Sequence, residues 1–181
     1  MKIKNITLTA VFAALCAVCA WITVPFAVPF TMQTFAVFLA CLILGGGQAA
    51  VCLGVYLLIG ALGVPVFAGM NGGVGVLLGP TGGYIVGFVV LCLLYAGLTR
   101  IFPRKKPYKI LALVIGLAVL YLFGTVWFVV RYTGGGGIGF TAALMKCVVP
   151  FILPDLLKLA LAFLIADRTE AVVKHILQKG A

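Results

Sequence analysis

Residues 150–166 read PFILPDLLKLALAFLIA, an apolar stretch broken by one acid and one base, Asp155 and Lys158. About 20 helical residues cross a hydrocarbon core of about 30 Å, and this stretch approaches that length. Ionisable groups at such a depth cost roughly 2.5 to 3.5 kcal/mol each on insertion scales, so they are kept where they face a cavity, a partner or a substrate. At i and i+3 they share one helix face and can pair. They are nearly the only ionisable side chains deep inside any apolar segment, which makes them the first candidates for a site.

The rest of the chain agrees on the medium. Of its 181 residues, 65% are apolar and 9% charged, and the mean hydropathy is +1.31. These values belong to an integral membrane protein rather than a soluble domain. Windows of about 20 residues predict six spans, near 6–24, 32–46, 48–63, 84–102, 109–131 and 141–167, forming one all-α membrane domain over residues 1–181. Only Gly45, Gly46 and Gly47 separate the second from the third, so that boundary is the least defined.

Orientation follows from Lys and Arg, which accumulate in short cytoplasmic loops. With the N-terminus inside, Lys2, Lys4, Arg100, Arg104, Lys105, Lys106, Lys109, Arg168, Lys174 and Lys179 fall on the cytoplasmic side. Arg131 lies at an outer helix end and Lys146 close enough to snorkel outward, so both termini are expected in the cytoplasm. A signal peptide is the rival reading of the first span, with Lys2 and Lys4 ahead of an apolar run, but it would invert every loop against this charge distribution. The net charge of +10 is thereby consumed by topology. Residues 100–109, RIFPRKKPYK, read as an anchor at anionic headgroups, not as a nucleic-acid surface.

Catalytic and metal chemistry find few parts. The six cysteines, Cys16, Cys19, Cys41, Cys52, Cys92 and Cys147, lie in or at the edges of apolar segments and read as packing residues. Cys16 and Cys19 form a C-x-x-C without a second ligand pair, a weak metal or redox signal. His175, the single histidine, lies in the polar tail, so neither a zinc-protease motif nor a histidine-based triad can be assembled. No catalytic residue, metal or cofactor is expected, and the chain is not read as an enzyme.

Two segments on the expected outer face break the helical pattern. VPFAVPFTMQT, residues 24–34, joins the first two spans, with Pro25 and Pro29 imposing an extended path and Gln33 opening the next helix. GVPVFAGMNGGVGVLLGPTGGY, residues 63–84, carries no charge, and its glycines permit close approach of backbone to a ligand. So apolar a connection is expected to fold back on the bundle as an ordered lid, burying Val66, Phe67, Leu77 and Leu78. It lacks G-K-[ST] and any base, so it is no phosphate cradle. Turn formation alone is the alternative role of these glycines.

The polar inventory near these loops is Gln33, Asn71, Thr81 and Tyr84, joined by Asp155 and Lys158 from the last span. Within apolar walls such a set suits a small amphipathic molecule with an amide-like head. Trp21, Phe26, Phe30 and Phe67 are available as walls or as core. Pro150 and Pro154 are expected to break the sixth segment, and a helix restarting at Pro154 would hold Asp155 in its first turn, where free N–H groups favour a carboxylate. Counting about 1.5 Å per residue from Asp167 puts Asp155 roughly 18 Å away, in the outer half of the core.

The motifs PFILPDLLK, GALGVPVFAGMNGGVGVLLGPTGGY and VPFTMQT together resemble the biotin transporter family BioY, in that family's order and spacing, over most of the chain. The resemblance implies a substrate-binding S component of an energy-coupling factor (ECF) transporter: six helices capturing biotin from outside and presenting it to a membrane T component coupled to two ATPase subunits. It implies ligand-binding roles for Asp155, Lys158, Asn71 and Tyr84. Chemistry then favours Asp155 and Asn71 at the ureido N–H and C=O groups, Tyr84 as a further hydrogen bond, and Lys158 on the ureido oxygen or on Asp155, with Gln33 a wall or ligand residue. A buried ion pair fixing helix register is the other account of Asp155 and Lys158.

Ala10 with Ala14, and Ala13 with Ala17, form small-x-x-x-small pairs that permit close helix contact in lipid. The resemblance implies that these four dock the T component, with internal packing alone as the alternative. No internal inverted repeat supports rocking transport. Two readings from other classes stay open: a self-sufficient permease using Asp155 as its proton site, and a non-transporting assembly subunit.

Overall fold

The computed structural model describes residues 3–25, 28–103, 105–132 and 137–178, with side chains through residue 169. Lys2, Phe26, Arg104 and Lys179, and the side chains of Lys174 and His175, lie outside the described residues.

The elements run α1 (Ile3–Trp21), β1 (Thr23–Val24), β2 (Phe30–Thr31), α2 (Gln33–Leu44), α3 (Gly46–Ala61), a 3-10 turn (Ala68–Met70), α4 (Val74–Leu78), α5 (Gly82–Ile101), α6 (Lys106–Arg131), α7 (Phe140–Cys147) and α8 (Val149–Gln178). Helix is forced by the medium, since lipid offers no partner to a free peptide group. Among the described residues, four helices are long and apolar enough to cross a membrane: α1, α5, α6 and α8 over Val149–Thr169. The apolar helices α2 and α3 have 12 and 16 residues, about 18 and 24 Å at 1.5 Å per residue.

The tightest pairing is α5 on α6, with α2 against α8, α3 against α5, and α1 against both α2 and α3. The main core runs through these helices and includes Phe38, Leu53, Leu91, Leu113 and Leu120. A smaller cluster of Val28, Tyr84, Phe128, Ala143, Cys147 and Phe151 closes one end. All six cysteines are buried, free thiols, and Cys41 and Cys92 bring their sulfurs to 3.5 Å across α2 and α5. The chain's opposite end is marked by the ion pair of Lys106 with Asp167.

The first loop contains a feature the prolines did not announce, a two-residue antiparallel ribbon pairing Thr23 with Thr31 and Val24 with Phe30. The glycine-rich segment packs unevenly. Phe67 is fully buried edge-on against Tyr56 at 5.5 Å, Val66 and Leu77 are half-buried, and Leu78, contrary to expectation, is exposed. Gly60 makes the Phe67 contact possible, because a Cβ there would lie 2.1 Å from the ring. Two side chains of α6 hold the far end of the segment: Trp127 Nε1 donates to Gly79 O at 2.9 Å and Arg131 Nε to Leu78 O at 2.7 Å.

The last segment breaks elsewhere than its prolines imply. The interruption is Val148, at φ −124° and ψ −55°. Pro150 then sits in the first turn of α8, where a missing N–H costs nothing, and Pro154 is accommodated inside the helix. Asp155 is therefore not in the first turn, and its charge is met by side chains instead of the helix start.

Candidate functional site

Asp155 and Lys158 are 2% and 6% exposed, on the face of α8 turned toward α2. Lys158 Nζ lies 2.8 Å from Asp155 Oδ1. The carboxylate is bound at both oxygens: Thr34 Oγ1 donates to Oδ1 at 2.8 Å and Tyr121 Oη to Oδ2 at 2.7 Å. A carboxylate offers about four lone-pair sites, so one on Oδ2 remains for a further donor.

Lys158 is fully engaged. Its three N–H groups reach Asp155 Oδ1, Thr31 O at 2.7 Å and Thr34 Oγ1 at 3.2 Å, and Nζ stands 4.0 Å from the centroid of Phe30. The end of the ribbon thus supplies both a carbonyl and an aromatic face to the cation. Removing two charges from water is tolerated because each finds several partners.

Around this pair lies a cavity of ≈ 150 Å³. Its lining brings together all five proposed ligand residues: Gln33, Asn71, Tyr84, Asp155 and Lys158. Gln33 Nε2 donates to Tyr56 Oη at 2.8 Å, and Tyr56 in turn to Val66 O at 2.8 Å, so the first loop and the glycine-rich segment are tied through α3. Thr31 Oγ1 donates to Gln33 Oε1 at 3.2 Å, leaving Gln33 one amide hydrogen. Asn71 gives one N–H to Ala68 O at 2.9 Å, which presents its Oδ1 and second N–H. Tyr84 shares a 2.9 Å hydrogen bond with Thr125 of α6, and its ring covers Gly124, where a Cβ would lie 2.2 Å from it.

Apolar walls come from Val76, Ile85, Phe88, Leu120 and Phe151. Of the aromatic residues considered from sequence, Phe67 is spent on the core and Trp21 bonds Pro65 O at 2.9 Å outside the cavity. The residues that sequence reasoning missed are Thr34, Tyr121, Phe88 and Phe151. Tyr121 left no distinguishing signal, since it is one of several hydroxyl residues along α6.

The alanines of α1 divide. Ala10 and Ala14 are exposed beside Val11 and Val18, whereas Ala13 and Ala17 are buried in the bundle. The four do not form a single outward face.

A helical bundle closing a small, mostly apolar cavity over a buried acid and base, with one acceptor position of the acid left open, has the form of a substrate-binding membrane protein. The chain belongs to the BioY family, whose profile matches residues 1–175; this is a family of transporters, not enzymes. It is 43% identical over 171 residues to the probable biotin transporter BioY of Pyrococcus horikoshii, covering 94% of this chain and 98% of that one. It is 37% identical over 170 residues to the biotin transporter BioY of Thermotoga maritima, covering 91% and 95%. The fold matches a crystal structure of the S-component for biotin from an ECF-type ABC transporter with a TM-score of 0.80 at 22% identity, over 93% of this chain and 92% of that one.

Proposed function

We propose that this chain captures biotin at a site open to the outside and delivers it, as the S component, to an ECF module of one T component and two ATPase subunits for ATP-driven uptake. The observation carrying the reading is the convergence of Asp155, Asn71, Tyr84 and Gln33 on one cavity beneath the glycine-rich segment. The family membership and the names of its relatives support the same substrate.

In this reading the chain crosses the membrane six times as one domain, with α2 and α3 as short crossings and α7 with the first part of α8 as a broken one. Both termini are cytoplasmic and the protein is a multi-pass component of the cell membrane. Asp155 is about 12 residues from Asp167 along a continuous helix, roughly 18 Å at 1.5 Å per residue, which supports a site in the outer half.

The free lone pair of Asp155 Oδ2 receives a ureido N–H, and Asn71 and Gln33 supply amide groups to the ureido oxygen and the remaining N–H. Tyr84 adds a hydroxyl. Lys158 acts on Asp155 rather than on the ureido oxygen, since its three protons are already committed. The apolar walls take the thioether ring and the aliphatic chain. Ala10 and Ala14, on the exposed side of α1, form the docking face for the T component, and Ala13 and Ala17 support it from within.

Equilibrium binding of labelled biotin to the detergent-purified chain tests capture. Tight binding lost in Asp155→Asn is expected, and a folded wild-type protein that binds no biotin overturns the reading. Reconstitution separates the rest: uptake requires the T component, both ATPases and ATP, whereas biotin movement by the chain alone under a proton gradient would make it a self-sufficient permease.

A further inference from the structure

At the end of the bundle marked by Lys106 and Asp167, the turn between α2 and α3 is set back from its neighbours. Gly46 packs so closely on α5 that a Cβ would lie 2.5 Å from Ala96 N. Yet α5 continues from Ala96 to Ile101, about 7 Å further at 1.5 Å per residue. On the other side Gln48 Nε2 donates to Asn5 O at 3.0 Å and to Thr9 Oγ1 at 2.7 Å, while α1 begins earlier, at Ile3. The two short helices therefore stop below the rim.

A recess of ≈ 600 Å³ follows, lined by Leu42, Leu44, Gly45, Gly46 and Gly47 and by two cations from different helices, Arg100 and Lys109. No acidic residue lines it, and neither cation's side chain has an ion pair or hydrogen bond among the described residues. Arg100 and Lys109 belong to the basic stretch that the positive-inside charge pattern assigns to the membrane surface. A short helix pair beside long ones leaves a gap at the edge of the bilayer, and a gap whose lining is mixed, with Leu42 and Leu44 on one side and Thr99 and two unpaired cations on the other, matches a molecule with a negatively charged phosphodiester head and hydrocarbon tails.

We infer that this recess is a binding site for the headgroup of an anionic phospholipid, with Arg100 and Lys109 on its phosphate and Leu42 and Leu44 against the start of its acyl chains. The site is separate from the biotin cavity and does not depend on that reading.

The test is native mass spectrometry of the detergent-purified full chain titrated with phosphatidylglycerol or phosphatidylcholine, with helical circular dichroism and thermal unfolding as the check on folding. Phosphatidylglycerol is expected to be retained preferentially, and Arg100→Gln with Lys109→Gln to lower its retention about tenfold, each charge near an anionic lipid being worth a few-fold. Gly47→Leu changes no charge, and its side chain enters space where a Cβ meets nothing within 4 Å; it is expected to lower retention similarly by filling the recess. Lys105→Gln, on the same basic end but outside the lining, is expected to change nothing. Equal loss in Lys105→Gln would reduce the effect to diffuse surface charge and overturn the site. Displacement of the lipid by inorganic phosphate at millimolar concentration would reassign it to a free anion. Unchanged lipid retention with lost ATP-driven uptake in the double variant would make the recess a protein-docking surface instead.

Discussion

Tyr121 Oη lies 2.7 Å from Asp155 Oδ2, so a hydroxyl from the middle of α6 fixes the carboxylate that Thr34 and Lys158 hold from the other side. Helices α2, α6 and α8 are thereby joined at one buried acid. Asp155 is oriented before any ligand arrives, and its remaining acceptor direction is set by the three donors already in place. Binding then orders little that is not already ordered, which is the condition for high affinity in a small site.

Tyr121→Phe removes a donor from a buried charged acceptor, a loss of about 1.5 to 3 kcal/mol for such hydrogen bonds. Biotin affinity is expected to fall about tenfold or more, with a modest fall in melting temperature. Isothermal titration beside thermal unfolding reads both, and unchanged affinity would show that Asp155 needs no help from α6.

The Asp155 and Lys158 pair can be divided into its structural and ligand-binding parts. Lys158→Met leaves an uncompensated buried carboxylate and is expected to destabilise the protein by about 3 to 5 kcal/mol. Adding Asp155→Asn removes the stranded charge and is expected to restore most of the stability but none of the biotin binding. Recovery of binding in the double variant would make the pair a register-fixing device only.

Gly124→Ala places a methyl group 2.2 Å from the Tyr84 ring. Overpacking of this kind costs about 1 to 3 kcal/mol, and displacement of Tyr84 from Thr125 is expected to weaken biotin binding. Combining it with Tyr84→Leu should recover stability without recovering affinity. Equal recovery of both would remove Tyr84 from the site.

On α1, Ala10→Trp and Ala14→Trp are expected to leave biotin binding by the isolated chain intact while abolishing assembly with the T component and ATP-driven uptake. Ala13→Trp, in contrast, is expected to destabilise the chain itself, since Ala13 is buried. Copurification with the T component discriminates the two classes, and normal assembly of the Ala10 and Ala14 variants would move the docking face elsewhere.

Much of the candidate site was legible in the chain because an ionisable or amide group in an apolar context is conspicuous wherever it falls. Asp155, Lys158, Gln33 and Asn71 were singled out that way and Tyr84 by its place at the end of the glycine-rich segment, and the five line one cavity. Thr34 and Tyr121 were not, because hydroxyl residues cost little in a helix and carry no signal until their partner is known. Pro154 misled for a related reason: its missing donor is local, but whether the helix absorbs it depends on neighbours that local pattern does not contain.

Hydrophobicity is a local property, and so the sequence alone was sufficient for an all-helical membrane protein with a buried acid and base on its last long helix. What required the tertiary structure was every relation between distant residues. Thr34 and Asp155 are 121 positions apart and meet at 2.8 Å, and Ala10 and Ala13 are three apart yet face opposite environments. The physical reason is the same in both cases. In lipid, apolar pattern does not distinguish the face of a helix that meets its neighbours from the one that meets hydrocarbon. Only the packing of α1 on α2 and α3, and of α8 on α2, makes that choice.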